Sequence, residues 1–208
     1  MCIVMGADTA TIPSLRQAPD VSGKHMTRIC TILALTCCLA MTTEAQSKSI
    51  ELKIDSLKKF NGDIFDCNSI YWRVVALGKE AIPFLITAIS DTSRTNTKLP
   101  CKKKNVRTGD ICYAALTEIF NIPLFYVTNI QFDVIDEHGC DLGVFDYLDR
   151  ERLKFKGQIE GYYNKYKHNL KLRKYVGLTK SDCKQKNKLP GYYDVDWHLL
   201  IKTFAACR

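Results

Sequence analysis

The sequence predicts an all-α protein, folded as one compact helical domain. Apolar residues recur at alternating three–four spacing in several separate segments, the period of a helix with one buried face. Gly, Pro, Asp and Asn fall between those segments, where helices begin and end. Only residues 124–135 are rich enough in aromatic and β-branched side chains to suggest a short extended hairpin. With 208 residues, 46% of them hydrophobic, the chain is long enough to bury one sizeable core.

The first amphipathic segment, Ser47 to Phe60, reads SKSIELKIDSLKKF and places Ile50, Ile54, Leu57 and Phe60 on one face. Asn61-Gly62-Asp63 stops it, because Gly readily adopts the left-handed conformation of a helix end. Asn68 or Ser69 caps a second helix, Ile70 to Leu77, which carries Tyr71, Trp72, Val74 and Val75 and ends at Gly78. A third helix begins near Glu80. Pro83 lies in its first turn, where the missing N–H has no intrahelical partner to lose. Ile82, Leu85, Ile86 and Ile89 form its buried stripe.

Thr92 to Asn105 is polar and without period, so it is expected to be a loop. Asp110 caps the next helix, Ile111 to Phe120, with Ile111, Ala114, Ala115, Leu116 and Ile119 on one side; Asn121-Ile122-Pro123 ends it. The extended stretch from Leu124 to Ile135 follows, then a turn at Glu137-His138-Gly139-Cys140-Asp141. The longest helix spans Val144 to Lys167. Leu148, Phe155, Ile159, Tyr162 and Tyr166 mark its apolar stripe, interrupted only by Arg152. Gly157 and Gly161 lower its intrinsic stability by about 1 kcal/mol each and suit the close approach of another helix. Beyond Asn169 the chain is basic, with a turn at Leu189-Pro190-Gly191-Tyr192-Tyr193. Asp196 to Phe204 fits a short helix or a strand.

The N-terminal part belongs to targeting. Residues 1–25 show no period and precede Met26. From there the sequence runs through Arg28, an apolar stretch from Ile29 to Met41, and small or polar residues ending Thr43-Glu44-Ala45-Gln46. This is the layout of a secretory signal peptide, with cleavage near Ala45 or Gln46. The apolar stretch is shorter than the ~20 residues that span a bilayer. Leu35-Thr36-Cys37 and Thr36-Cys37-Cys38 resemble a lipobox only loosely, so a lipid anchor is the lesser expectation. The expected organisation is therefore an upstream extension (1–25), a signal peptide (26–45), a helical domain (47–168) and a basic C-terminal segment packed on it (169–208). The protein is expected to be exported, periplasmic or secreted, with no transmembrane span.

An exported chain meets an oxidising compartment, and Cys67, Cys101, Cys112, Cys140, Cys183 and Cys207 lie beyond the signal. Connectivity is not readable from spacing. Cys101 and Cys183 both sit in lysine-rich loops and are the first pairing to expect, whereas Cys112 falls among apolar helical residues and suits a core position. No CxxC spacing occurs, and neither a metal nor a cofactor is expected.

The net charge of +8 is concentrated in short runs, at Lys102, Lys103 and Lys104 and again from Lys171 to Lys188. Such a balance favours an anionic partner. No arginine-rich arm or aromatic nucleic-acid signature accompanies it, so nucleic acid is not expected.

Leu77-Gly78, Glu80-Ala81-Ile82-Pro83, Leu85-Ile86, Ala88-Ile89 and Asp91 together resemble the hinge and second helix of a HEAT-like helical repeat. Val106-Arg107 and then Ala114-Ala115-Leu116 and Ile119 resemble the first helix of a following unit. The resemblance covers about residues 70–120 and implies an antiparallel helix pair. It departs from the family in the fourteen residues from Thr92 to Asn105 that separate Asp91 from Val106, and in showing at most two units where stacked repeats usually need three or more. Residues 49–60 and 144–167 are the expected covering helices. The chain also resembles exported proteins of Bacteroidetes-type bacteria, whose signal peptides often end in Ala-Gln; that likeness implies a compartment and no activity.

No catalytic motif stands out. His138 neighbours Glu137, Cys140 and Asp141, but Gly and Asp in a tight turn have backbone reasons to be there. His168 suits the C-terminal end of the long helix, and Asp146, Asp149 and Glu151 suit its N-terminal end. Tyr162, Tyr163, Tyr166, Tyr192, Tyr193 and Trp197 could stack on a sugar or peptide, though core positions explain most of them. The expected function is that of an exported, non-enzymatic protein-binding or scaffold protein. Lys102, Lys103, Lys104 and Arg107 are its candidate binding residues and a protein is its partner; the oligomeric state is left open. A periplasmic inhibitor or immunity-type protein is the first alternative, and an envelope glycan hydrolase built on paired acids is the second.

Overall fold

The computed structural model describes residues 45–64, 66–67, 69–99, 102, 105–132, 142–174 and 189–196, all within the compact unit Ala45–Arg208. The protein is mainly helical, with six helices and one two-stranded antiparallel sheet among the described residues. Helix α1 covers residues 45–55 and tightens into a 3-10 turn over Ser56–Lys59. Then come α2 (Ile70–Val75), α3 (Ile82–Ala88), α4 (Thr108–Ile119), α5 (Leu124–Thr128) and α6 (Leu142–Tyr166). Strands β1 (Leu170–Arg173) and β2 (Tyr192–Val195) close the described part, in the register Leu170 to Val195 and Arg173 to Tyr192.

The hub of the fold is α4. Its flanks pack on α2, α3, the 3-10 turn after α1, and β2. Ile111, Cys112, Ala115 and Leu116 have no solvent exposure, and nine of its twelve residues are buried. A short helix is marginal alone and takes its stability from such packing. Helices α2 and α3 each rest on α4 and make few contacts with each other. The apolar stripes of α1 and α3 face inward as their spacing requires: Ile50, Ile54, Leu57, Ile82, Leu85, Ile86 and Ile89 are all buried. Pro83 takes its place at the start of α3, and Gly78 (φ +61°) provides the left-handed residue after α2.

Several boundaries differ from the sequence expectation. Gly62 does not cap α1 in the helical left-handed conformation. Its φ is +143°, and the chain has already turned extended at Phe60. Ser69 precedes α2 but its side chain caps nothing; its hydroxyl is buried without a hydrogen-bond partner. Helix α4 starts at Thr108, two residues before Asp110, so Asp110 sits inside the first turn, and Val106-Arg107 remains extended ahead of it. The stretch expected to be extended starts as a helix instead: Leu124–Thr128 coils behind Pro123 and ends at Asn129 in the left-handed region. Strand pairing occurs later in the chain, with Tyr193 in β2 where a turn was expected. The turn at 137–141 and the segment 197–204 lie outside the described residues.

The segment after α3 is pinned down. Thr95 donates its N–H to the Val106 carbonyl (2.9 Å), Lys98 to Gly62 (2.8 Å), and Thr108 to Ser93 (2.8 Å). Thr97, Leu99 and Val106 are buried. Its backbone groups find partners on the body of the protein, as buried polar groups must.

The glycines divide sharply. A Cβ on Gly109 would lie 2.1 Å from the Ile89 carbonyl oxygen, 2.5 Å from Arg152 Nη1 and 2.8 Å from the Asp91 carbonyl oxygen, whereas one on Gly157 or Gly161 would meet nothing within 4 Å. Among the described residues no helix approaches Gly157 or Gly161 closely, contrary to expectation; both are exposed. Close approach happens at Gly109, where the start of α4 slides under the end of α3. Gly109→Ala is expected to destabilise the protein by at least about 2 kcal/mol through forced overpacking. Gly157→Ala and Gly161→Ala are each expected to stabilise it by about 0.5–1 kcal/mol. Urea unfolding of the three variants checks both signs.

Candidate functional site

The most concentrated chemistry in the described residues is a buried ionic cluster at the start of α4. Asp110 is fully buried. One of its carboxylate oxygens, Oδ1, accepts from Arg152 Nη2 at 2.6 Å. The other, Oδ2, accepts from Lys102 Nζ at 2.8 Å and from the Arg107 backbone N–H at 2.8 Å. Asp149 Oδ1 accepts from the same Lys102 Nζ at 2.7 Å and lies 3.3 Å from Arg152 Nη2. Arg107 Nε approaches Asp149 from the rim at 3.9 Å. Arg152 Nη1 donates to the Ile89 carbonyl at 2.9 Å, satisfying an oxygen that the end of α3 leaves open.

The cluster draws on four parts of the fold. Lys102 belongs to the pinned segment, Asp110 to α4, Asp149 and Arg152 to α6, and the carbonyl to the end of α3. Helix α6 carries a local break at Glu151 (φ −127°, ψ 34°), between its two contributors. Burying charge is costly unless every charge is paired and hydrogen-bonded, and here the pairing is nearly complete; of the cluster's fully buried side-chain atoms, Arg152 Nε alone lacks a partner among the described residues. Burial by itself would raise the Asp149 carboxyl, but the hydrogen bond and charge of Lys102, with Arg107 and Arg152, hold it below its ordinary value.

Three cations, Lys102, Arg107 and Arg152, surround the two carboxylates of the cluster. Cys112, the neighbouring thiol, is unpaired and fully buried. Burial, together with the negative charge of Asp91, pushes its ionisation far up, which makes it an inert core residue.

The structure turns Lys102 inward. Its side chain is only 8% exposed and is held by two carboxylates, so this expected surface cation is a core ion-pair partner. Arg107 is partly exposed and spends its backbone N–H on the start of α4. Lys103 and Lys104 lie outside the described residues, as do Cys101, Cys183, His138, Glu137 and Trp197. Cys67 is disulfide-bonded. Asp146 and Glu151 are exposed on α6. Among the described residues no three His, Cys, Asp or Glu side chains gather to hold a metal ion, and no helix is long and apolar enough to cross a membrane.

Sequence reasoning missed the cluster, although one signal existed. Arg152 occupies an apolar position of the α6 stripe, and a charge on a buried face calls for a buried partner. It missed a second feature altogether. On α5, Phe125 is 61% exposed and Tyr126 56% exposed, at positions expected to lie in a strand. Tyr126 is fixed against α6: its hydroxyl is 3.0 Å from that of Tyr166 and its ring meets Tyr162 edge-on at 6.0 Å. Lys165 lies over the Tyr166 ring at 5.0 Å. Tyr162 and Tyr166 themselves are buried. Burial first, and then the charge of Asp194, raises the ionisation of Tyr162 well above that of free tyrosine.

Comparison of the chain with known protein families, with curated proteins and with solved structures yields no match. The HEAT-like likeness therefore rests on the residues quoted for it.

Two variants test the cluster. Arg152→Leu should lose about 3–5 kcal/mol, the usual effect of breaking a buried pair from one side, read from the urea midpoint. A loss below about 1 kcal/mol would mean that the cluster does not hold the fold. Asp149 has a depressed folded pKa, so its stabilisation is complete above the unfolded value near ~4 and disappears as pH falls through the folded value. In acid, the stability of Asp149→Asn should therefore fall less steeply than that of the parent; parallel curves would contradict the assignment.

Proposed function

We propose that the protein is an exported, non-enzymatic binding protein whose recognition surface is the aromatic ledge of α5. The observation that carries this is the exposure of Phe125 and Tyr126 side by side on a five-residue helix whose other contacts anchor it to α6. Large aromatics held rigid and exposed supply contact area at little entropic cost, and they are the residues most often found at the energetic centre of protein interfaces. Lys165 beside the ledge and the net charge of +8 favour a partner with acidic groups near its own apolar patch. The inward engagement of Lys102 moves the expected recognition surface away from the lysine triplet.

The test is retention of a partner from envelope extract on the immobilised protein, with mass spectrometry of what is held. Phe125→Ser with Tyr126→Ser should lower retention at least about tenfold without changing the circular dichroism spectrum. Full retention by that double variant, together with loss on changing Lys103 and Lys104 to Ser, would return recognition to the basic segment and overturn this assignment.

A further inference from the structure

We infer that the aromatic ledge ends in a carboxylate subsite: the Lys165 ammonium receives an acidic side chain of the protein partner, while the apolar residue next to that acid lies on Phe125 and Tyr126. The inference rests on the recognition reading above and assigns the partner's chemistry at that surface.

The ammonium is held at the edge of the ledge. Lys165 is exposed, and its Nζ lies 5.0 Å from the centre of the Tyr166 ring. The Tyr166 hydroxyl is in turn 3.0 Å from that of Tyr126. Tyr166 is buried, and its ring packs on Tyr162 at 5.0 Å. Cation and aromatic surface are therefore neighbours on a fixed scaffold. A hydrogen bond to Tyr166 raises the pKa of Lys165 above its ordinary value, so the side chain stays charged at neutral pH. A positioned ammonium has less freedom to lose on binding than an untethered lysine.

No described carboxylate takes up this charge. Residues 161–174 hold four lysines, one arginine and no Asp or Glu, and residues 124–132 hold no charged side chain. The acids of neighbouring segments are engaged elsewhere. Glu160 meets Lys156 at 2.9 Å, Asp196 faces Lys171 at 3.7 Å, and Asp194 accepts the Asn121 amide at 3.4 Å. The negative end of α6 favours a cation in its last turn, but it carries only about half a charge. An anion brought by the partner completes the balance. A carboxylate beside an apolar side chain matches both halves of the surface.

The probes are two capped tetrapeptides, glycine-phenylalanine-glutamate-glycine and the same peptide with glutamine in place of glutamate. Each is titrated into the isotope-labelled full chain and followed by amide chemical shifts. The glutamate peptide should bind roughly two- to fivefold tighter, the range an exposed ion pair supplies, and shift the amides of α5 and of the last turns of α6. Added salt should narrow the gap. Lys165→Gln should remove it, Lys165→Arg should keep it, and Lys165→Glu should turn the preference toward a lysine-bearing peptide. Equal affinities on the parent, or a gap that survives Lys165→Gln, overturn the subsite and leave the ledge to its own retention test. If neither peptide moves those amides, the subsite is likewise overturned. The ledge falls only if retention of the partner is also unchanged by Phe125→Ser with Tyr126→Ser.

Discussion

The Asp110–Arg152 pair sets the terms for the rest of the molecule. Asp110 is wholly buried, and such a carboxylate is tolerated only when its oxygens are saturated by donors held in place. Arg152 serves one oxygen, and Lys102 with the Arg107 backbone serves the other. Because these donors come from separate elements, satisfying one charge fixes several positions together. Arg152 extends the constraint to α3 through the Ile89 carbonyl. The segment carrying Lys102 cannot lift away without leaving charge uncompensated in the interior.

Gly109 adds a steric condition to the electrostatic one. The donors reach Asp110 only because the start of α4 comes within van der Waals contact of the end of α3, and no side chain fits there. The break at Glu151 falls between Asp149 and Arg152, so α6 presents both to one charge centre. Around this knot the apolar packing is conventional. Leu116, Ile119 and Phe120 on one side, and Leu148, Phe155 and Ile159 on the other, exclude water and raise the penalty for any unpaired charge.

The largest convergence of described charges, around Asp110, is turned inward. Among the described residues the large apolar side chains turned outward are Phe125 and Tyr126 on α5, and singly Leu52, Leu153 and Leu172. Isolated exposed leucines are ordinary on a surface. Two adjacent aromatics, one of them clamped by a tyrosine hydroxyl, form a directed surface, which is why recognition is proposed there.

The sequence by itself determined the helical class, the inward stripes of α1 and α3, the place of Pro83 at a helix start and the core position of Cys112. Each depends on periodicity or on the backbone chemistry of one residue, and both are local. Helix α4 starts three residues earlier than the sequence predicts, because Asp accepts equally well at the cap and inside the first turn. The α5 helix was misread because Phe, Tyr, Val and Thr favour strands only when a pleated neighbour is there to pack against. Only the tertiary structure decided which lysine of the triplet is buried, what Arg152 was doing in an apolar stripe, and which glycine permits close approach. The physical reason is that ion pairing and steric contact are set by distances between residues far apart in the chain; Lys102, Asp110 and Arg152 carry no mark in the sequence of the partners that folding gives them.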